Sequence, residues 1–279
     1  MKLVFSPQCL EYREDGHPES PERVSRTYDV LKSEFNVVAP EKAEENDILK
    51  VHAHTLLDMV KRNEITDPDT PNLPGIFGIA LLAAGAALTA GHFALKGECA
   101  FSLMRPPGHH AGRGFLGGFC YFNNIAVAVS RCLESAERIC ILDIDCHHGN
   151  GTQDIFMGDR NVLYLSLHQS PLFPGTGLVS EQNCMNYPLP PGTDKELYLK
   201  VFGKAIEQVK KFKPDLIGVS AGFDTYREDT LTSINLDIQT YRTIASMIAS
   251  LNVPAFSVLE GGYAEQMPQC IEAYLRGVG

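Results

Sequence analysis

The chain has no proline-, serine- or glycine-rich segment, no run of like charge and no internal repeat that would divide its 279 residues, so nothing marks a linker. One domain over 1–279 is the expectation, at a length that supports a single large core. Positive charge is also scarce. Against 34 Asp and Glu stand only 24 Lys and Arg, for a formal net charge of −10. Such a surface repels phosphate backbones, which argues against nucleic acid as a partner, and mildly attracts cationic substrates such as polyamines or Lys-rich tails. The eight cysteines include no C-x-x-C pair, and several lie in apolar runs, as Cys140 does in RICILDID. That pattern excludes a disulfide scaffold in favour of reduced, buried thiols. Residues 1–5 pass directly into Ser6-Pro7 without a leader pattern, so the expected location is the cytoplasm.

Residues 76–95, IFGIALLAAGAALTAGHFAL, carry no formal charge and are long enough to span a bilayer. They are rich in Ala and Gly, contain His92 and lack flanking basic or aromatic anchors. A buried helix covering a sheet has this composition, and no membrane association is expected. Short apolar runs elsewhere read as strands: KLVF, NVV, CAFSLM, RICILDI, NVLYLSL, DLIGVS and AFSVLE. Helical patterns separate them, one opened by Pro21 and others over 53–62, 124–135, 194–212, 237–251 and 264–276. The alternation predicts an α/β fold with a mostly parallel sheet.

Polar residues collect at the ends of these strands. CAFSLM runs into RPPGHH, RICILDI carries Asp143 and Asp145 and runs into His147-His148-Gly149, and NVLYLSL ends at His168. DLIGVS leads to Ala221-Gly222-Phe223-Asp224, and AFSVLE to Gly261-Gly262-Tyr263. In open α/β sheets the carboxyl ends of strands share one edge, where ligands bind. Five strands therefore direct their chemistry to one place.

The sharpest signal is Asp143-Ile-Asp145-Cys-His147. Alternation along an extended segment predicts Asp143, Asp145 and His147 on one side, with Ile144 and Cys146 opposite. Two carboxylates and an imidazole on one face are costly to bury without a cation. With Asp224 they offer an Asp/His/Asp set that leaves positions open for water and substrate, as a catalytic zinc needs; the oxygen-rich donors also suit Fe(II) or Mn(II). His109-His110 can take a proton from water and pass it to a leaving amine, with Asp143 and Asn150 fixing the ring tautomers. Tyr263, after two glycines, can donate to a carbonyl oxygen.

Two motifs are misleading. Gly218-Val-Ser220-Ala-Gly222 matches a serine-nucleophile elbow, but all nine histidines lie at or before His168, so the order Ser…Asp…His is impossible. DIDCHHG hints at a calcium loop, but His147 and the placement of Gly149 break that pattern.

Read together, HPESPERV (17–24), RPPGHHA (105–111), GFCYFNN (118–124), LDIDCHHGNG (142–151), SLHQSPLFPGTG (166–177), SAGFDTYREDTL (220–231) and LEGGY (259–263) resemble the histone-deacetylase superfamily. That grouping includes class II-like enzymes and the prokaryotic acetylpolyamine and acetoin-utilisation relatives. The motifs span nearly the whole chain in the family's order. The resemblance implies an arginase/deacetylase-type fold with about eight strands between helices, and zinc held by Asp145, His147 and Asp224. It implies His110 as general base and acid, His109 as its electrostatic partner, Asp143 paired with His109, Asn150 with His110, and Tyr263 on the carbonyl oxygen. Gly118, Phe119, Phe173 and Leu231 fall on the substrate tunnel. A structural potassium ion is implied near Asp143, Ser166 and the backbone at 145, 147 and Leu167, with Arg23 buried beneath the site. Asn150 stands where many class I members have Asp. Gly75 and Gly78 align where peptide-processing relatives hold substrate with Ser or Asp. Leu231 aligns where polyamine-selective relatives often place Glu, with Glu228 and Asp229 nearby. The activity implied is deacetylation of acyl-lysine or of a small acetylated amine such as a polyamine. Competing readings are a binuclear manganese ureohydrolase-like site and a non-catalytic acyl-lysine binder. Oligomeric state is left open.

Overall fold

A computed structural model of the protein describes residues 1–278. Eight strands form one sheet: β1 (Lys2–Val4), β2 (Asn36–Val38), β3 (Ala100–Ser102), β4 (Ile139–Asp143), β5 (Val162–Gln169), β6 (Cys184–Leu189), β7 (Leu216–Ala221) and β8 (Ala255–Leu259). Their order is β2-β1-β3-β8-β7-β4-β5-β6, and every pair is parallel. The seven strands read from apolar runs are present, which confirms the α/β reading. The eighth, β6, escaped that reading because CMNYPL mixes buried with partly exposed positions and carries the exposed Pro188. A proline lacks the ladder N–H and is tolerated at an edge, where β6 lies.

The strand order places the site. After β3 the chain skips two sheet positions to lay down β4, and β7 and β8 later fill the gap. The carboxyl ends of β3, β8, β7 and β4 are thus consecutive, and the crevice of a parallel sheet opens where the winding reverses.

Helix α1 is Pro21–Leu31, α2 Glu45–Ile48, α3 His54–Arg62, α4 Ile76–Leu95 and α5 Asn124–Cys132; α6 is Asn150–Phe156, α7 Lys195–Phe212, α8 Ile238–Ala249 and α9 Met267–Val278. Neighbouring residues of β8 show the two faces. Phe256 packs by Gly91 of α4, whereas Ser257 meets the Tyr274 hydroxyl of α9 at 2.9 Å. Helix starts at aspartates have a physical cause: Asp194 and Asp237 are N-caps, accepting from the N–H groups of Leu197 and Thr240. Helix α6, absent from the sequence reading, is two turns long and carries Asn150 into the site.

The apolar helix α4 lies inside the fold, packed on α5 and on β1, β3 and β8, with Gly85 and Gly91 closed on neighbours. A Cβ on Gly85 would stand 1.9 Å from the Glu41 carbonyl oxygen and 2.8 Å from the Ala43 N. We therefore expect Gly85→Ala to destabilise the protein by about 1–3 kcal/mol through overpacking, although alanine is the better helix former by about 1 kcal/mol. A raised melting temperature would contradict the packing.

Candidate active site

Strand β4 ends at Asp143, and the chain bends sharply over residues 145–147. The alternation expected to carry all three polar residues to one side therefore stops at Asp143. Its carboxylate turns to His109 Nδ1 (3.1 Å) and to the Tyr164 hydroxyl (2.8 Å). The bend instead brings Asp145 and His147 to Asp224 at the end of β7. Their donor atoms lie within 4.8 Å of one another, with His147 Nδ1 at 2.8 Å from Asp224 Oδ2 and 3.1 Å from Asp145 Oδ1. Both carboxylates are fully buried. Among the described residues these three form a group of His, Cys, Asp or Glu with metal-holding geometry.

The electrostatics fit a cation. Burial opposes charge on His147, but hydrogen bonds to Asp145 and Asp224 prevail and push its pKa up to about 10. Burial, then the Asp145 charge, lifts Asp224 to about 7; burial would also raise Asp145, but His109 and His147 hold it below the usual range. Without metal, a proton on His147 supplies the positive charge that two dry carboxylates demand.

Above this group stand the two histidines that follow β3. Their rings are 4.0 Å apart. Burial lowers His109, but Asp145 and Asp143 overcome that and hold it near 10. Burial and then the His109 charge drive His110 well below its ordinary value. One ring is thus cationic and the other neutral. His110 Nδ1 pairs with Asn150 Oδ1 at 2.8 Å; an amide oxygen accepts, so the ring's proton sits on Nδ1 and Nε2 is left as the basic atom.

A cavity of about 380 Å3 connects these groups to the surface, its walls including His110, Gly118, Phe119, Phe173 and Tyr263. The expected tunnel residues are all there, Leu231 at the mouth. Gly118 (φ 55°) has no alternative, since a Cβ would approach His110 Cδ2 to 2.6 Å. Phe119 follows in the same left-handed region (φ 72°), its N–H held by Thr70 Oγ1; such strain costs about 1–3 kcal/mol and is typical of ligand-facing positions. Tyr263 stands edge-on to Phe119, centroids 5.9 Å apart. Burial pushes its phenol well up, against the pull of Arg23, which keeps it a donor.

Other expected residues occupy distinct places. Asp143 and Ser166 are register partners on β4 and β5, fully buried, with Leu167 next to them; Ser166 Oγ meets His168 Nδ1 at 2.9 Å. Arg23 lies beneath the site, donating to the carbonyls of Glu260 (2.7 Å) and Gly262 (2.6 Å). The alignment of Gly75 and Gly78 with a substrate-holding position needs correction. Gly75 caps α4 and Gly78 faces Lys42, whereas the preceding loop brings Asp69 to the cavity wall. Leu231 is 37% exposed, and Asp229 points inward, accepting from the N–H groups of Leu231 and Tyr263.

Sequence reasoning assigned no role to Glu260, Glu19 or Arg105. Glu19 is buried between Arg23 and Arg105, and Glu260 accepts from the N–H groups of Gly108 and His109. The available signal was a charge where the pattern is apolar, as with the Glu that closes AFSVLE.

Because the metal-free site holds a proton on His147 up to about pH 10, a divalent ion must displace it. Affinity is expected to rise about tenfold per pH unit between pH 7 and 9, with about one proton released. Calorimetry in buffers of differing ionisation enthalpy measures both; pH-independent affinity would contradict the assignment.

Comparison with known proteins agrees with this geometry. A model of the histone deacetylase domain matches residues 17–278. A probable deacetylase of Archaeoglobus fulgidus is 41% identical over an alignment covering 94% of this chain and 81% of its own. Acetylpolyamine amidohydrolase 2 of Pseudomonas aeruginosa is 38% identical, covering 73% of this chain and 67% of its own. The crystal structure of the HDA15 HD domain superposes with a TM-score of 0.94 at 28% identity, covering 100% of this chain and 90% of that one. The chain belongs to the histone deacetylase family.

Proposed function

We propose that the protein is a zinc-dependent deacetylase that hydrolyses the amide of a small acetylated amine, with acetyl-lysine as the second substrate class. The observation that carries this reading is the convergence of Asp145 and His147, grouped with Asp224, and of His110 and Tyr263 on one cavity. Two carboxylates and one imidazole suit zinc and leave coordination positions open; Fe(II) is the alternative the donors allow. When bound, the ion polarises the amide carbonyl and acidifies water.

The chain's own groups supply the rest. His110 Nε2 takes the proton of the attacking water and returns it to the leaving nitrogen. Burial, reinforced by the His109 charge that Asp145 and Asp143 maintain, keeps His110 in its neutral form at rest. The Tyr263 hydroxyl donates to the carbonyl oxygen as negative charge develops there. Phe119 and Phe173 bound an apolar passage that admits an extended alkyl chain and excludes water. Asp143, Ser166 and the Leu167 carbonyl are the proposed seat of a potassium ion, which would offset the buried Asp143 charge. A non-catalytic acyl-lysine binder would need none of the proton-transfer set.

Asp69 favours the small amine. Its backbone carbonyl accepts from the His17 ring at 3.2 Å, and the residue lines the mouth where a substrate's second ammonium would emerge. The relatives named acetylpolyamine amidohydrolases and the acidic chain point the same way. The unpaired cysteines support the cytoplasm as its location.

The test is a panel of acetylputrescine, acetylspermidine and acetyl-lysine peptides with zinc-loaded protein. Turnover of an acetylated amine is expected, reduced about 100-fold or more in kcat by Tyr263→Phe and by His110→Ala; unchanged rates in both variants would reject the assigned roles. Asp69→Asn is expected to raise KM for acetylspermidine with kcat little changed. Asn150→Asp places a carboxylate at His110 Nδ1 and favours the imidazolium. The base is then lost at higher pH, so the acid limb of kcat/KM moves up by about one unit or more; a downward shift would contradict it.

A further inference from the structure

Tyr263 and His110 must face one another across the cavity, yet they belong to different loops, one following β8 and the other β3. Those strands pair as far as Ser102 with Val258. Beyond that pair, among the described residues, no backbone hydrogen bond joins residues 105–111 to residues 260–263. The direct tie is a side chain, beside the indirect path from Arg105 through Glu19 and Arg23 to the Glu260 and Gly262 carbonyls. Glu260 is fully buried; its Oε2 accepts from the N–H groups of Gly108 (2.7 Å) and His109 (3.1 Å), and its Oε1 from Ser220 Oγ (3.2 Å).

We propose that Glu260 is a positioning residue: its carboxylate anchors the histidine loop to the segment bearing Tyr263 and so sets the spacing of base and phenol. The inference rests on the deacetylase reading and extends it to a residue that touches neither substrate nor metal.

Both ends of this tie are fixed. On the Glu260 side, the residue's own N–H donates to the Ala221 carbonyl at 3.0 Å and its carbonyl accepts from Arg23. The next residue, Gly261, donates to Asp145 Oδ2 at 2.7 Å, and Tyr263 N–H to Asp229 Oδ2 at 2.7 Å. On the histidine side, Gly108 is pressed on the start of α5. A Cβ there would lie 2.5 Å from the Asn124 N, and Asn124 Nδ2 donates to the Pro106 carbonyl at 2.9 Å. The loop cannot move toward α5, and on its other face the Glu260 carboxylate holds the N–H groups of Gly108 and His109. A fully buried carboxylate is unfavourable unless donors converge on it, and a residue that only filled space here would be aliphatic. Two adjacent N–H groups sharing one oxygen define a position more narrowly than packing does.

The variants separate bonds from bulk. Glu260→Gln keeps an acceptor oxygen for both N–H groups and turns its NH2 to Ser220 Oγ; Glu260→Ala leaves both N–H groups without a partner. In folded, zinc-loaded protein the glutamine variant is expected to keep kcat within about threefold. The alanine variant should lose about 100-fold in kcat, with KM within about threefold, as a displacement near 1 Å would cause. Amide hydrogen exchange at Gly108 and His109, which needs no turnover, should accelerate about tenfold in alanine and not in glutamine. Glu260→Asp folds most conservatively, shortens the reach by one methylene and should lower kcat about tenfold at constant KM. Wild-type kcat in the alanine or aspartate variant, unchanged exchange in alanine, or a glutamine variant as impaired as alanine would each overturn the proposal. A wild-type protein that cleaved no acetylated amine would instead defeat the deacetylase reading, and the exchange pattern would still report on the tie.

Discussion

Four buried carboxylates within one crevice are the constraint around which the rest is organised. Asp143, Asp145, Asp224 and Glu260 have no solvent exposure, and such groups are tolerated only where cations and donors converge on them. Each is answered differently. Asp145 and Asp224 share His147 and the proposed metal, Asp143 takes His109 and the Tyr164 hydroxyl, and Glu260 takes two backbone N–H groups. The catalytic inequality of the two histidines is a by-product of this balance. The carboxylates hold a proton on His109, and burial, together with that charge across a ring separation of 4.0 Å, keeps one off His110.

Beneath them a second buried charged group does mechanical service. Arg105 and Arg23 enclose Glu19, and Tyr12 adds a 2.6 Å hydrogen bond to the same carboxylate. Through Arg23 the group reaches the Glu260 and Gly262 carbonyls, and so the floor under Tyr263. Residues near the start of the chain therefore support a tyrosine near its end. A sheet whose centre is filled last makes that possible, because β8 is laid down after all the others yet sits between β3 and β7.

Much of the fold was legible because buried parallel strands are continuous apolar runs and their turns carry the polar residues. RICILDI and DLIGVS announce themselves in this way. The metal group was legible because DxDxH concentrates charge where it is costly. What stayed hidden depends on three-dimensional direction rather than residue type. Nothing in the local pattern says that the chain bends after Asp143 and turns that carboxylate away from its neighbours. The edge strand β6 and the short α6 are too polar or too brief for periodicity to find. Asp69 at the mouth was missed because the loop before α4 reaches farther than an alignment anchored on the helix start suggests.

Asp145 carries one consequence beyond charge. Its Oδ1 faces His147, while its Oδ2 accepts the Gly261 N–H, two residues before Tyr263. A carboxyl group is planar, so the direction in which Oδ1 faces His147 and the seat of the Gly261 N–H on Oδ2 are set together. One flat side chain thereby registers the loop that carries the phenol to the group that would hold the ion.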